Sequence, residues 1–348
     1  MVTREPVAFE IPEELAAWEP SSEAVVSCYV DWSVSGRGLH EATTVVRNRL
    51  RELLRGVDPR GAARASLEAD AARIERYLEE EADPSARGFA IIACHGRGLW
   101  WVLTLGVPVT TQVHAGERPL LLPLVEATQD AARTLVALVD TNTARLIALV
   151  PSGASELDGP SRAVTTVKHS TKGGWGSLGY QRHVDTETAR FAEEVAEAIE
   201  TTMAARRLHH LVLAGDEVIV PPLMNALSQA TRERLDVVEH IDVRDDVEAV
   251  AERVWPRVAE VVRKRREAEV ESIAGRVAAG IAAAGEPTTV IEALQAGRVD
   301  ALALDGERVD EAVAELALRE ALTHRSRVLV VRGHEALASS GGLAATLR

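Results

Sequence analysis

The chain has 348 residues and a formal net charge of −14 at pH 7. Its content of 46% hydrophobic and 26% charged residues is typical of a soluble globular protein, long enough for two or three domains. The negative charge excludes broad nucleic-acid binding, because most of the surface would repel phosphate, so any RNA contact must depend on local basic patches. No apolar run reaches the ~20 residues of a membrane span and the N-terminus lacks a signal-peptide core, so we expect a cytoplasmic location and no membrane partner.

The first 129 residues predict an α/β domain. After an irregular or single-helix lead-in over residues 1–20, a strand begins at Val25, helices cover 41–56 and 64–82, and the strands GFAIIAC and LWWVLTL are joined by HGRG. One of Trp100 and Trp101 should face the core while the other covers an edge, and we assign His95 no catalytic role. Cys28 and Cys94 lack metal-ligand spacing, which indicates reduced core cysteines and neither metal nor cofactor.

Residues 130–245 predict a second domain with a mixed sheet. TLVALVD and ARLIALV form a hairpin with Asn142 at the turn, and AVTTVK is a candidate third strand. Asp185 is the expected N-cap of a long helix, followed by the strand HHLVLAG and a helix through Leu223 and Leu227. The buried face of the long helix is expected to carry Ala192, Val195, Ala196, Ile199 and Met203.

Within this domain, residues 161–184 (SRAVTTVKHSTKGGWGSLGYQRHV) differ in charge from the rest of the chain. The segment contains no acidic residue and carries four formal positive charges, to which His169 and His183 add at mildly acid pH. Four glycines surround Trp175, a composition that favours a loop able to approach a ligand closely and mobile when empty. RNA offers both phosphates for the cations and bases for the indole. The alternative is a solvated surface loop. The four cations are Arg162, Lys168, Lys172 and Arg182.

Residues 246–348 predict a long helix and then a third α/β domain. The helical period covers 246–284, where Pro256 should kink or break the helix. The basic cluster from Arg263 to Arg266 is interpreted as a solvated helix face next to glutamates, with a phosphate contact as the alternative. TTVIEALQ, VDALALD, VDEAVAELALREALTH and SRVLVVRG then alternate as helix, strand, helix and strand, which indicates parallel pairing.

The order of elements and several motifs resemble the bacterial branch of the archaeo-eukaryotic release factor and Pelota superfamily. The hairpin, the KGGW loop, YQRH and LVLAG resemble its catalytic domain, and VIEALQAGRVDALAL with GGLAATLR resembles the third domain of release factors. YVDWS and HGRGLWWVLTLGVPVTTQV are similar to bacterial members only, so stop-codon reading is not expected. The order of strands and helices predicts three compact α/β domains, 1–129, 130–245 and 246–348, and the resemblance implies that the central one is ribonuclease-H-like with a long glycine-rich loop.

The resemblance also implies a site at the loop. Gly173 and Gly174 match the two glycines of the release factors' Gly-Gly-Gln motif, whose glutamine is placed at the ester between peptide and tRNA. In this chain the glutamine position is Trp175 or, in the register Gly-Gly-Trp-Ser-Gln, Ser177; neither replaces the amide, and Gln181 is the nearest substitute.

The family further implies binding at the ribosomal A site, with peptidyl-tRNA hydrolysis as an open question. The expected partners are the ribosome, tRNA or peptidyl-tRNA and a translational GTPase, without DNA. The RNA-binding residues would be Lys168, Lys172, Trp175, Arg182 and His183. A hibernation or rescue factor without chemistry is the alternative within the family.

A second alternative belongs to another class of protein. Asp140, Asp216 and His210 lie near strand ends, and a stand-alone hydrolase or nuclease could use such residues. A ribonuclease-H-like active site needs several carboxylates that converge on metal ions, whereas aspartates at strand ends also occur in ordinary turns.

Overall fold

The computed structural model describes residues 11–33, 38–56, 62–84, 86–130, 133–150, 152–161, 176–239 and 241–348. These residues form three sheets with helices packed on them, so the predicted mixed α/β fold class is confirmed. The chain divides into two compact units: unit 1 contains Ala132–Val150 and Ala154–Ala259, and unit 2 contains Phe9–Ala131 and Glu260–Arg348. The domain boundaries inferred from the sequence remain predictions.

The first sheet of unit 2 has four antiparallel strands in the order β3-β2-β1-β4. A helical turn precedes it, and two helices pack on one face through Val46, Leu50, Leu67 and Ile74. Trp100 packs with the core on that face and Trp101 with the core on the other, so both tryptophans contact a core and not only one as predicted. Both cysteines are buried and free. The sequence did not predict the edge strand β4. The bounds are α1 Glu13–Ala16, β1 Val25–Asp31, α2 Gly38–Arg55, α3 Ala62–Arg76 with a π-helical turn at Tyr77–Glu81, β2 Gly88–Cys94, β3 Leu99–Leu105 and β4 Gln112–Gly116.

The sheet of unit 1 is mixed, in the order β7-β6-β5-β8-β9. β5 pairs with β6 as the predicted antiparallel hairpin and with β8 in parallel, and β8 pairs in parallel with β9. The long helix α5 buries its predicted face against this sheet, with Phe191 and Ile199 fully inaccessible. The elements are β5 Thr134–Val139, β6 Ala144–Val150, β7 Gly153–Leu157, α5 Gly176–Arg206, β8 His210–Gly215, α6 Val220–Ala226, α7 Gln229–Arg232 and β9 Leu235–Val237.

Three details of unit 1 and its following helix differ from the prediction. The helix α5 begins at Gly176, so Asp185 lies inside it and is not its N-cap. The third strand described is β7, whereas the predicted strand AVTTVK lies outside the described residues. Pro256 does not break its helix, because α8 continues from Val247 to Ala278 with Val254 and Val258 buried on both sides of the proline, so of the two predicted outcomes the break is wrong and the kink stays a prediction.

The remaining elements form the second sheet of unit 2, in the order β10-β13-β11-β12. β11 and β12 pair in parallel, as the alternation of helix and strand predicts, whereas β13 pairs antiparallel with β11 and was not predicted. Val290, Leu294, Leu302 and Leu318 form the core between the sheet and its helices. The bounds are β10 Ala283–Ala284, α9 Pro287–Gln295, β11 Val299–Asp305, α10 Glu311–Thr323, β12 Arg327–Val331 and β13 Leu343–Leu347, with α4 at Leu122–Asp130 earlier in the chain.

Candidate functional site

The glycine-rich segment 161–184 is the candidate site, and the structure describes its two ends. Lys168, Lys172, Gly173, Gly174 and Trp175 lie outside the described residues. Ser177, Gln181, Arg182 and His183 belong to the first turns of α5. The described backbone therefore fixes where the segment leaves the sheet of unit 1 and where its helical part begins.

The chain enters the segment beside the turn between β5 and β6. Ser161 forms an antiparallel bridge with Thr143, and the N–H of Ala144 donates to the carbonyl of Pro160 at 2.9 Å. Gly159 allows this close approach, because a Cβ at that position would lie 2.1 Å from the carbonyl oxygen of Ala144. The segment therefore starts at the edge of the sheet where the parallel strands β5 and β8 end.

The chain leaves the segment through a helix that is longer than the sheet it covers. The 31 residues of α5 span roughly 46 Å, whereas the six residues of β8 span roughly 20 Å. Among the side chains of α5 that the structure describes, from residue 186 onwards, the buried positions run from Thr188 to Met203. Since a short connection returns α5 to the start of β8, the N-terminal turns of the helix extend beyond the edge where β8 ends.

The same edge contains a cleft of about 530 Å³ between the ends of β5 and β8. The acidic residues that line this cleft are Asp140, Asp216 and Asp242. The carboxylate of Asp140 accepts hydrogen bonds from the N–H groups of Asn142 and Thr143, both at 2.7 Å, which closes the hairpin turn. The backbone carbonyl of Asp216 accepts from Ile219 and Val220 at the start of α6. The carboxylate of Asp140 thus has a structural role in a turn, which the sequence left as an alternative, and the backbone of Asp216 forms the turn that leads into α6.

The structure contradicts the combination of Asp140, Asp216 and His210 in one active site. His210 pairs with Thr134 at the start of the parallel strands, while Gly215 pairs with Val139 at their end. The length of β8, roughly 20 Å, therefore separates the histidine from both aspartates. In the part of the chain that the structure describes, no group of three or more His, Cys, Asp or Glu side chains could hold a metal ion.

The basic cluster on α8 is a helix surface whose cations pair with neighbouring glutamates, as the sequence predicted. Arg263 donates to Glu267 at 2.8 Å, and Lys264 contacts Glu260 at 2.7 Å, both one helical turn apart. Such exposed pairs contribute little stability, about 0.3–0.5 kcal/mol each, but they neutralise the cluster locally. This surface is therefore a weaker candidate for phosphate binding than the segment 161–184.

Sequence reasoning missed Gly159 and Gly215 as positions that shape the site. At Gly215 a Cβ would lie 2.0 Å from the carbonyl oxygen of Val139, so β5 and β8 could not end side by side with any other residue there. For Gly215 the available signal was a glycine that directly follows the apolar run LVLA.

None of the helices in the described ranges is long and apolar enough to cross a membrane.

One protein family model matches the part of the chain that contains the candidate site. Residues 119–260 match the family model of bacterial archaeo-eukaryotic release factor family 10, which confirms the resemblance to the bacterial branch of that superfamily over this part of the chain. The matched region includes the whole sheet of unit 1, the segment 161–184 and α5. No curated protein matches the chain.

Several solved structures of translation factors align with the chain at low similarity. Archaeal translation termination factor aRF1 is 19% identical, with 97% of this chain and 95% of that chain covered and a TM-score of 0.27. Ribosome-bound archaeal Pelota is 20% identical, with 75% and 77% covered and a TM-score of 0.47. Dom34 of S. cerevisiae, a translation termination-like factor, is 12% identical, with 74% and 79% covered and a TM-score of 0.44.

Proposed function

We propose that this chain is a translation-associated, release-factor-like protein that binds the ribosomal A site and peptidyl-tRNA through the segment 161–184. The observation that carries the proposal is the family match over 119–260, which contains this segment together with its sheet and helix. The geometry of the described ends supports it, because an RNA-binding loop must reach away from an acidic body. The helix α5, whose 31 residues are much longer than the six-residue strand β8, supplies that reach.

The composition of the segment 161–184 also supports an RNA ligand, because it combines positive charge with an aromatic side chain. Its cations stand apart from a chain whose net charge is −14, so they provide the local positive charge that contact with phosphates needs. Trp175 adds a flat surface on which an unpaired base can stack, worth about 1–3 kcal/mol. The proposed partners are thus the ribosome and tRNA or peptidyl-tRNA, with a translational GTPase as a further partner.

Binding without rapid ester hydrolysis is the activity that we propose for the loop. Neither Trp175 nor Ser177 offers an amide at the position of the release factors' glutamine. A rescue or hibernation factor that occupies the A site would need only the binding part. Release of peptide from peptidyl-tRNA should therefore be slow for the native protein and faster for Trp175→Gln or Ser177→Gln. Efficient release by the native protein that persists in Gln181→Ala would contradict this account.

The ribosome contact can be tested with the lysines of the chain as reporters. Lys168 and Lys172 lie in the segment, and Lys264 is the one lysine elsewhere in the sequence, which makes it an internal control. We expect the protein to cosediment with ribosomes at low salt and the ribosome to protect the first two lysines, but not Lys264, from acetylation.

Variants separate the electrostatic and stacking contributions. Lys172→Glu should weaken binding and flatten the dependence of log affinity on log salt by about 0.7–0.9 or more, whereas Trp175→Ala should weaken binding without a change of slope. Lys264→Glu is the matched control. Absence of a ribosome complex at low salt, or full binding by the Lys172→Glu, Trp175→Ala double variant, would refute the proposal.

A further inference from the structure

One outer edge of the first sheet of unit 2 is the strand β3, whose sequence is LWWVLTL. Among the described residues, β3 pairs with β2 alone, in one antiparallel register from Leu99 opposite Cys94 to Leu105 opposite Gly88. The other side of β3 therefore presents the backbone N–H and C=O groups of every second residue, along roughly 24 Å of strand.

The strand β3 lacks the features that keep an edge strand from pairing with another chain. Its seven residues include no charged residue and no proline, and its pairing with β2 contains no bulge. Charged side chains, prolines, bulges and short lengths are the usual means of protecting an edge. A strand of this length and composition is a surface to which a further strand can be added.

The other edge strands that the structure describes carry such features. β10 has two residues and β9 has three, β7 carries the acidic Glu156, and β4 carries the polar Gln112 and His114. On β12 the N–H of Val330 donates to the amide oxygen of Gln129 at 3.0 Å, and the amide nitrogen of Gln129 donates to the carbonyl of Val330 at 2.9 Å. Of the described edge strands, only β3 combines seven residues with an uncharged, mostly apolar sequence.

Packing on both faces of the sheet holds β3 in place. On one face, the rings of Tyr77 and Trp100 meet edge to face with their centroids 6.1 Å apart, and the guanidinium of Arg73 lies 4.1 Å from the centroid of the Trp100 ring. On the other face, Leu103 and Leu105 are buried. The edge is therefore formed before a partner arrives, so that association does not have to order this strand first.

The sequence of β3 favours a second copy of this chain as the partner. An uncharged strand contains no group that would select a charged peptide, whereas a copy of β3 offers the same apolar pattern. A two-fold axis at Val102 pairs two copies antiparallel over all seven residues and sets each side chain opposite one from the same face of the sheet. Aromatic residues opposite β-branched residues are favourable cross-strand pairs. The opposed residues are Leu99 with Leu105, Trp100 with Thr104, Trp101 with Leu103 and Val102 with its own copy.

We propose that β3 pairs with β3 of a second copy, antiparallel about Val102, so that the two four-stranded sheets join into one continuous sheet of a homodimer. This pairing supplies partners for the backbone groups of the outer edge. Since β3 lies outside residues 119–260 and outside the segment 161–184, the proposal goes beyond the contact with the ribosome and does not depend on it.

The first test is sedimentation velocity of the full chain. The native protein should change from monomer to dimer as its concentration rises from about 1 to 100 μM. Val102→Lys should weaken the dimer about fivefold or more, because the axis brings two like charges directly opposite each other. Gln112→Lys is the matched control, since it adds the same side chain at another half-buried position, on the opposite edge strand of the same sheet. Its dimer should stay as strong as the native one, and thermal unfolding shows that both variants are folded.

Cross-linking tests the geometry with substitutions that add no charge. A short bis-maleimide should link two copies of Val102→Cys, because the two Cβ atoms face each other at about 5 Å across the axis. Gln112→Cys should stay unlinked, since seven strand spacings, about 34 Å, separate the two copies of that position in the joined sheet. Cys28 and Cys94 do not interfere, because both are buried.

A native protein that stays monomeric at about 100 μM would overturn the proposal. A dimer that persists in Val102→Lys, or cross-linking of Gln112→Cys as fast as that of Val102→Cys, would also overturn it, because the interface would then lie elsewhere. None of these results depends on ribosome binding, and the Lys172→Glu, Trp175→Ala variant should dimerise like the native protein.

Discussion

The buried ion pair in unit 2 allows a stability prediction in some detail. The carboxylate of Glu315, on α10, accepts from the N–H of Leu121 at 2.8 Å and of Leu122 at 2.7 Å, at the start of α4. It also contacts Arg319 at 3.3 Å, and the guanidinium of Arg319 donates to the carbonyl of Pro119. Only 13% of the Glu315 side chain and 8% of the Arg319 side chain are exposed. The pair therefore joins α10 to the segment that follows β4.

Glu315→Ala should lower the free energy of unfolding of unit 2 by about 3–5 kcal/mol, because it leaves Arg319 buried without its counter-charge. The change also removes the acceptor of two backbone N–H groups. Urea unfolding followed by tryptophan fluorescence measures the effect, since Trp18, Trp32, Trp100 and Trp101 all belong to unit 2.

The control is Glu335→Ala, which removes an acid of the same unit that pairs with Arg308 but has 88% of its side chain exposed. Its cost should be within about 1 kcal/mol. A Glu315→Ala variant as stable as the Glu335→Ala variant would refute the reasoning, because the buried pair would then contribute no more than a surface pair.

The direction in which the pKa of Glu315 is shifted determines how this pair makes the free energy of unfolding depend on pH. Burial raises the pKa of Glu315 above its ordinary value of 4.5, although the two backbone N–H groups and Arg319 lower it in part. The folded protein thus binds this proton more tightly than the unfolded chain, so the native protein loses stability as the pH rises from 4.5 through the folded-state pKa. The difference in unfolding free energy between the native protein and Glu315→Gln should change with this sign, and a flat difference would contradict it.

Three further predictions concern the sheet and the core. Gly215→Ala should destabilise unit 1 by about 1–3 kcal/mol, because the added Cβ would lie 2.0 Å from the carbonyl oxygen of Val139, whereas Gly275→Ala in unit 2, with open space around its Cβ, should be neutral or stabilising; urea unfolding followed by far-UV circular dichroism, which reports both units, measures the two changes. Phe191→Ala should cost about 3–5 kcal/mol by calorimetry, because Phe191 is fully buried against the unit 1 sheet, and an unchanged melting temperature would contradict that packing. Cys28 should react with a thiol reagent only after unfolding, because burial raises its pKa to about 12, and fast modification of the native protein would show that the strand is accessible.

Periodicity predicted most of the elements because each of them buries one continuous apolar face. The predicted buried face of α5, from Ala192 to Met203, is the observed one, and the hairpin of β5 and β6 follows directly from two apolar runs around Asn142. Short or half-exposed strands were missed: all five residues of β4 are partly exposed, and β9 has three residues, so neither leaves a clear apolar pattern. The sequence left open whether Pro256 kinks or breaks its helix, and α8 continues through the proline with buried neighbours on both sides.

For the candidate site, too, some features follow from the sequence and others only from the tertiary structure. The sequence by itself determined the segment 161–184, since its charge and glycine content are local properties, and its motifs carried the family resemblance that the match over 119–260 confirms. Only the tertiary structure decided which distant residues meet. It separated His210 from Asp140 and Asp216 by the length of one strand, and it placed β3 at the outer edge of its sheet. The physical reason is that strand pairing joins residues by register and direction, which no single stretch of sequence specifies.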